Sequence, residues 1–600
     1  MIYHPPERVG TVFHDGSRLH ANMKQISIIP NTLPTAQYRI VALDPSIRGS
    51  DRKILTALVE IPNEQLAAGP RGYRVQVVDY DTTDQVLYAP KEYTAEEACT
   101  VPDKIETDRA FHARNTYAIV MRVLARFERA LGRRVAWSFL GHQLTVAPHA
   151  FHDLNAFYSK DDRAIFFGYF RDSKGNVFTC LSHEVIAHET THALLDGLRP
   201  NYTSPSSADQ AAFHEGFSDI VALLSVLSLR EVVSAALDLS TSTEKTVIRA
   251  SELTIPKLKD GVLLGLAPQL GEAISGGQGI ALRRSIEIDP DPALAKKEEF
   301  GEPHRRGELL VAAVLGAFLK IWKTRIDLFG QLQKGMVSRV GVTTAAVETA
   351  DHLLTIAIRA LDYCPPTDLT FSDFLSAMLT SDYEVYPDDT DYHYRAALLE
   401  GFQSFGFLPV ESDKPTAEPG MWEPCDASAY VYSRTHFDSL QHNHDEVFRF
   451  VWENRKKLKI HQSAYTKVEA VWPCHRYGSD GFLLRETVAV YSQQLRVEAR
   501  ELSKLKLKRP TDMPLDTPLT IYGGGTLIFD ETGRLKYHIS NRIGGTERQN
   551  ERLQYLWDRG NLNKKKTFAA LHLERMLRND LSRGNIAGSH EDGDDAADAE

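Results

Sequence analysis

The feature that most constrains this chain is the pentapeptide HETTH at residues 188–192, within the segment CLSHEVIAHETTHALLDGL. Residues four apart lie on one face of an α-helix, so His188 and His192 would direct their imidazoles towards a common point. Two imidazoles there can bind a zinc ion, and Glu189 is placed to act as general base on a zinc-bound water. The surrounding apolar residues predict a buried helix that ends near Gly197. Because HExxH also arises by chance in a chain with 22 histidines, the prediction needs a third ligand.

Glu215, in the segment SADQAAFHEGFSDIVALLSVL, is the candidate for that third ligand. Apolar residues at helical spacing predict a second helix, with Ser206 or Ser207 as its start signal. Glu215 and Asp219 are four residues apart, so they would share one face of this helix. Two histidines and one glutamate are an established ligand set for catalytic zinc, and Asp219 could fix the tautomer of a ligand imidazole. Taken alone, Glu215 also fits a solvated charge on an exposed helix face.

The succession of HETTH and HEGFSD resembles the thermolysin-like gluzincin metallopeptidases, whose second zinc helix carries a glutamate and, four residues later, an aspartate. The resemblance covers roughly residues 96–410. It implies an α+β fold in a two-lobed zincin arrangement, with a β-containing N-terminal lobe and a helical C-terminal lobe. It also implies a zinc-dependent endopeptidase in which His188, His192 and Glu215 hold a single Zn²⁺ and Glu189 is the catalytic base.

Two further segments match this family around its substrate. The segment DLNAFYSKDDRAIFFG is similar to the edge strand of the active site, which implies that Asn155 and Ala156 pair with the substrate backbone. The segment ALRRSI is similar to the one that carries an arginine for a substrate carbonyl. That arginine would be Arg283 or Arg284.

The resemblance also implies residues that stabilise the transition state. In EFGEPHRRGELLVAAVLGAFLKIW, as in the family, a histidine opens a helix, which implies His304 as a catalytic donor with Glu299 as its orienting carboxylate. The tyrosine that assists the oxyanion in the family is matched by Tyr202.

The chain departs from the family at its calcium sites. Glu184 fits one acidic position, but Val226 stands where an acid is expected seven residues after Asp219. Calcium takes six to eight oxygen ligands, so a site that loses carboxylates is expected to lose the ion. Calcium binding is therefore not expected.

The composition of the chain restricts which binding partners and which cellular compartment are expected. A chain of 600 residues with 42% hydrophobic residues suits several compact domains, and a net charge of −11 argues against nucleic acid as an obligatory partner. Five scattered cysteines without a CxxC suggest thiols in a reducing compartment. We find no signal-peptide pattern and no long apolar run, so a cytoplasmic protein acting on protein or peptide substrates, away from membranes, is expected. The oligomeric state stays open.

Composition shifts divide the chain into regions. Strand-like runs such as YRIVAL and YRVQVVDY make its beginning β-rich, and the Pro-rich ESDKPTAEPGMWEP indicates a linker. Beyond the linker, LTIYGGGTLIFDETGRLKYHIS predicts a hairpin. The predicted regions are a β-rich N-terminal region (1–95), a zinc-binding catalytic lobe (96–245), a helical catalytic lobe (246–410), a linker (411–425), an additional α+β accessory domain (426–585) and a disordered acidic tail (586–600).

Two alternatives to a peptidase remain open from the sequence. One is a zincin-fold regulatory or binding module that has lost catalysis, although its usual mark, a changed general base, is absent because Glu189 is present. The other is a nucleic-acid-associated regulator that uses the basic runs of residues 426–585. Such runs are more often solvated faces, so nucleic acid is the less favoured partner.

Overall fold

The structure, a computed structural model, describes residues 34–562 apart from residues 44, 46–52, 140, 173–174, 205, 241–245, 261–283, 330–334, 413–415 and 479–480. The fold is α+β, as predicted. The strands are β1 (Thr35–Val41), β2 (Thr56–Pro62), β3 (Val75–Val77), β4 (Tyr80–Asp81), β5 (Val86–Leu87), β6 (Leu144–His152), β7 (Ala156–Ser159), β8 (Ala164–Asp172), β9 (Gly175–Phe178), β10 (Val247–Arg249), β11 (Met336–Ser338), β12 (Tyr465–Tyr477), β13 (Leu483–Glu498), β14 (Pro518–Phe529) and β15 (Leu535–Asn541).

The helices alternate with these strands in the first half of the chain and dominate the middle. They are α1 (Ala95–Ala98), α2 (Arg109–Leu131), α3 (His183–Leu198), α4 (Ala208–Leu227), α5 (Arg230–Ser240), α6 (Ile255–Leu258), α7 (Pro303–Leu328), α8 (Arg339–Ala360), α9 (Phe371–Val385), α10 (Tyr394–Gln403), α11 (Phe437–Leu440), α12 (His444–Glu453) and α13 (Thr546–Asp558). No single helix in the described ranges has both the length and the apolar character to span a membrane; α4 and α5 pass that test only jointly, across a 76° bend.

Helix α2 is capped at both ends and joins the first hairpin to the rest of the fold. The Asp108 carboxylate accepts a hydrogen bond from a first-turn N–H at 2.9 Å, and Gly132 ends the helix with a φ of 68°. Strands β1 and β2 form an antiparallel pair that packs against α2. Asn115, on α2, accepts from the N–H of Val41 at 2.9 Å and donates to the carbonyl oxygen of Cys180 at 3.2 Å. The helix thus ties β1 to the segment that leads into α3.

A mixed sheet in the order β3, β6, β8, β7 lies beside α2 and α3. The β3–β6 and β6–β8 pairs are parallel, whereas β7 and β9 run antiparallel to β8. Among the described strands, β7 pairs with β8 alone. One backbone edge of β7 is therefore not used by the sheet.

Helix α3 lies inside the core. Every residue of it except Gly197 is buried, and it packs against both α2 and α4. Helix α4 begins as predicted, because the Ser207 hydroxyl accepts from the N–H of Gln210 at 3.0 Å. Helix α4 in turn packs along α7. The two helices with the metal motif are thus fixed by tertiary packing on several sides.

The C-terminal half contains an antiparallel sheet in the order β12, β13, β14, β15, with α12 packed on β12. The described part of the predicted linker lies against the preceding helices. Glu418 accepts from Arg395 at 2.6 and 2.8 Å, and the indole of Trp422 donates to the carbonyl oxygen of Tyr363 at 2.9 Å. These contacts hold the linker against the helical region.

A buried network of charges joins the C-terminal sheet to the end of α2 and the end of α8. Asp362 accepts from both terminal nitrogens of Arg133, at 2.5 and 2.7 Å. Arg476 bonds to Asp362 and to Glu486, each at 2.5 Å, and Lys536 lies 2.8 Å from Glu486. Although burial alone would raise it, the two arginines hold the pKa of Asp362 below its ordinary value. Asp362 therefore stays ionised and binds two arginines at once.

We expect Asp362→Ala to lower the free energy of unfolding by about 3–5 kcal/mol, because it leaves two buried guanidinium groups without their shared carboxylate. Urea unfolding followed by circular dichroism measures this as a lower midpoint. The control is Lys504→Ala, which removes the exposed partner of Glu501, 3.3 Å away, and should leave the midpoint unchanged. Equal midpoints for Asp362→Ala and the wild type would contradict the role of the network.

Candidate metal centre

Helices α3 and α4 bring the three predicted zinc ligands together. The Nε2 atoms of His188 and His192 are 2.9 Å apart. Glu215 places Oε2 3.4 Å from His188 Nε2 and Oε1 4.0 Å from His192 Nε2. All three side chains are buried. Residues from two helices thus converge on one point.

The outward nitrogens of both histidines have partners of their own. His188 Nδ1 lies 2.8 Å from a carboxylate oxygen of Asp219, which therefore takes the position predicted for it. His192 Nδ1 lies 2.8 Å from His214 Nδ1 and 3.1 Å from the Ser218 hydroxyl. Burial alone would lower the pKa of His188, but hydrogen bonds to Asp219 and Glu215 raise it well above its ordinary value.

The residues fit a zinc ion on chemical grounds. Because Asp219 accepts the proton of His188 Nδ1, Nε2 of His188 is the ring nitrogen left to bind a metal, and it faces Nε2 of His192. Two imidazole nitrogens and a carboxylate that converge in this way are the donor set of catalytic zinc sites, and an outer carboxylate on a ligand histidine is typical of them. The geometry supports the predicted ligand set, with His188, His192 and Glu215 as the donors.

Glu189 lies between the histidines and the edge strand. Its Oε2 accepts a hydrogen bond from the N–H of Tyr158, in β7, at 3.0 Å. The side chain is fully buried. The carboxylate of the predicted general base is therefore fixed on the strand that the sequence predicted for substrate binding.

The Asn155–Ala156 pair lies at the start of β7. The side-chain oxygen of Asn155 accepts from the N–H of Ala156 at 2.8 Å, and its carbonyl oxygen accepts from the N–H of Gly168 at 2.8 Å. Both oxygens thus bond within the protein. A substrate that pairs with this strand would therefore bond to the backbone groups of β7 that face away from β8.

His304 reaches the same cluster from α7. Its Nε2 lies 3.5 Å from Glu215 Oε1, and its Nδ1 lies 2.6 Å from Glu302 Oε1. Glu302 also caps α7 by accepting from the N–H of Arg305 at 2.9 Å. Partial burial would raise the pKa of Glu302, but its hydrogen bonds with His304 and the helix N-terminus lower it to about 2. The carboxylate is therefore ionised beside the imidazole.

Glu302, and not the predicted Glu299, bonds to Nδ1 of His304. The carboxylate of Glu299 lies 3.6 Å from Arg305. A proline marks the first position of a helix, and Pro303 could therefore have placed Glu302 at the cap of α7 from the sequence.

Tyr202, which was predicted to assist the oxyanion, is buried in the structure. Its hydroxyl donates to the carbonyl oxygen of Pro365 at 2.6 Å, and its ring packs on Phe213 in the core. In the structure, the hydroxyl proton is therefore committed to this backbone carbonyl. No local sequence pattern predicts this bond, since Pro365 is remote along the chain.

The structure describes only one of the two arginine candidates for substrate binding. Arg283 lies outside the described residues, whereas Arg284 is exposed and places Nη1 3.8 Å from Oε1 of Glu308. Glu308, one turn after His304, was not identified as a site residue from the sequence. Burial raises its pKa to about 7, against the opposing effect of Arg305. Arg284 is therefore connected to α7 near the cluster through a buried carboxylate.

Two glycines allow α7 to approach α4. A Cβ atom on Gly216 would lie 2.9 Å from the carbonyl oxygen of Gly307, and one on Gly307 would lie 3.1 Å from that of Ala212. Gly216 directly follows Glu215, and Gly307 comes one turn after His304. The close backbone contact thus brings His304 to the metal ligands.

A scan against protein-family models finds no match to this chain, and a search of curated proteins finds none. Function is therefore inferred from the site itself.

We expect Glu215→Ala to lose the zinc bound at this cluster, because three protein donors fall to two. Glu189→Gln should keep the same zinc content as the wild type, because Glu189 is not a ligand. Elemental analysis of the purified proteins gives the zinc content per chain. If Glu215→Ala holds as much zinc as the wild type, the assignment of the third ligand is wrong.

Proposed function

We propose that this protein is a zinc-dependent endopeptidase of the thermolysin-like kind. The observation that carries the proposal is the position of Glu189, buried between the His188–His192–Glu215 cluster and the backbone of β7. The cluster supplies a metal-ligand set, and the strand supplies an edge on which a peptide can lie. The carboxylate between them is where a general base for hydrolysis is needed.

The metal ligands define what chemistry is accessible. Zinc, when bound by such residues, is a Lewis acid that polarises a carbonyl group and lowers the pKa of water. Glu189 would take a proton from the attacking water and later deliver it to the leaving amine nitrogen. Its hydrogen bond from Tyr158 N–H holds the carboxylate in place for both transfers.

His304 suits the role of oxyanion donor. Its Nδ1 carries the proton that Glu302 accepts, so Nε2 donates only when the ring is doubly protonated. The ionised Glu302 carboxylate favours that charged form. An imidazolium Nε2 facing the ligand cluster could then donate to the negative charge that develops on the scissile carbonyl oxygen.

Strand β7 supports a peptide as the substrate. Its outer edge is not paired within the described residues, and an extended peptide can bind such an edge through main-chain hydrogen bonds. The side chains of such a peptide would alternate in direction, so main-chain pairing alone would not restrict its sequence. This geometry favours cleavage within extended segments.

Cleavage of an unfolded protein tests the proposed function. We expect the wild type to produce new internal N-termini, detected by mass spectrometry, and Glu189→Gln to be slower by about 10²–10⁴-fold because the general base is missing. The control, Glu531→Gln, changes an exposed glutamate in the accessory region and should cleave like the wild type. Equal products from the wild type and Glu189→Gln would contradict the proposal and favour a catalytically silent module.

His304→Ala should lower kcat and kcat/KM together by about 10²-fold or more and leave KM little changed, because the lost hydrogen bond forms mainly in the transition state. Steady-state kinetics on a fluorogenic peptide measure these constants, and elemental analysis confirms that zinc is retained. The exposed His442→Ala is the matched control and should behave as the wild type. Unchanged kcat in His304→Ala would assign the oxyanion role to another residue.

A further inference from the structure

A second cluster of metal-binding side chains lies beside the start of α3. It consists of His112 on α2, His149 on β6 and Cys180 in the short 3₁₀ helix Thr179–Leu181. One potential ligand atom from each residue lies within 4.8 Å of the other two, and all three side chains are 0% exposed. These residues are remote in sequence, and the activity proposed above does not use them.

The outer nitrogens of the two histidines fix the tautomers of both rings. His112 Nε2 lies 2.7 Å from the carbonyl oxygen of Ile105, which can only accept, so this nitrogen carries the proton. His149 Nδ1 lies 2.8 and 3.0 Å from the carboxylate oxygens of Asp79, which likewise accept. The other two nitrogens, Nδ1 of His112 and Nε2 of His149, are therefore lone-pair acceptors in the neutral rings.

These two acceptor nitrogens face each other at 2.7 Å. Two lone pairs at hydrogen-bond distance repel each other unless a proton or a metal cation is shared between them. The Cys180 sulfur, 4.0 Å from His149 Nε2, could donate its thiol proton to that nitrogen, but His112 Nδ1 would still face a lone pair. The arrangement thus requires a shared positive charge.

The surroundings favour a metal cation over a proton. A cation of charge two would face two negative groups, the Cys180 thiolate and the Asp79 carboxylate, the latter also 4.0 Å from Arg109. A shared proton leaves the thiol without a role and places an imidazolium in a fully buried position beside the Phe178 ring, whose centroid is 4.8 and 5.3 Å from the imidazoles of His112 and His149. Desolvation opposes that charged ring.

The candidate catalytic cluster has the same pattern. There, a carboxylate accepts from the outer nitrogen of His188, and the inner nitrogens of His188 and His192 face each other at 2.9 Å. In both clusters an oxygen atom accepts the proton of the outer ring nitrogen, which leaves the inner nitrogen free to bind a metal. Ligand histidines are oriented in this way in metalloproteins. This similarity is geometric and does not depend on the proposed activity.

We propose that His112, His149 and Cys180 form a second metal site, structural in role, for a zinc-type cation. Thiolate and imidazole together favour zinc and related transition metals and exclude calcium and magnesium, which prefer oxygen. Three protein donors leave one position that water can complete. The site joins α2, β6 and the segment three residues before α3 begins, so it anchors the helix that carries HETTH.

Cobalt substitution tests this site separately from the candidate catalytic site. A thiolate bound to Co²⁺ gives an intense charge-transfer absorption in the near ultraviolet, and the His188–His192–Glu215 cluster contains no sulfur. We expect the wild type to bind about two equivalents of Co²⁺ and to show this band. Glu215→Ala should keep the band and lose about one equivalent, so failure of either site is distinguishable from failure of the other.

Cys180→Ser should lose the band and about one equivalent of metal, and its melting temperature should fall because the anchor of α3 is lost. The matched control is Cys364→Ser, which changes another fully buried thiol, one that donates to the carbonyl oxygen of Ala360 at 3.1 Å. This control should keep both the band and the metal content. The wild-type spectrum requires no variant, so it tests the site even if Cys180→Ser does not fold. A folded wild type without the band, or Cys180→Ser with unchanged metal content, overturns the proposal.

Discussion

Helix α3 imposes the central constraint on this fold, because it carries ionisable side chains through the core. Every residue of it except Gly197 is buried, including His188, Glu189 and His192. A buried polar group without a partner costs on the order of a few kcal/mol, so the surrounding elements have to supply partners. Helix α4 supplies Asp219 for His188, and strand β7 supplies a backbone N–H for Glu189. The arrangement of α3, α4 and β7 thus gives the buried polar groups of α3 their hydrogen-bond partners. The same arrangement forms the candidate site.

The same rule applies where the C-terminal sheet meets the helices. Asp362 is shared by Arg133, which follows α2, and Arg476, which lies on β12. Burying these charges is costly, and their mutual attraction offsets the cost only when the geometry is maintained. A network of this kind contributes more to the orientation of the sheet than to net stability. It explains why the sheet sits in one position on the helical region.

The α+β class, the helical course of the metal motifs and the start of α4 at Ser207 could all be predicted from the sequence. Each depends on local rules, because helical periodicity places residues four apart on one face and a serine cap needs only the next helical turn. The same spacing predicted that Asp219 shares a helix face with Glu215, whereas its pairing with His188 came from the structure. The two-lobed arrangement of the thermolysin-like family remains a prediction.

By itself, then, the sequence determined which residues share a helix face, and the tertiary structure decided which faces meet. Glu302 rather than Glu299 reaches His304 because the cap geometry of α7 directs it there. The hydroxyl of Tyr202 is bound to a carbonyl more than 150 residues away, and His112 meets Cys180 only through the packing of α2 against the segment before α3. Such contacts join residues far apart in the chain, and no periodicity encodes them. They arise because burial forces each polar group to find whichever partner the packed core brings near.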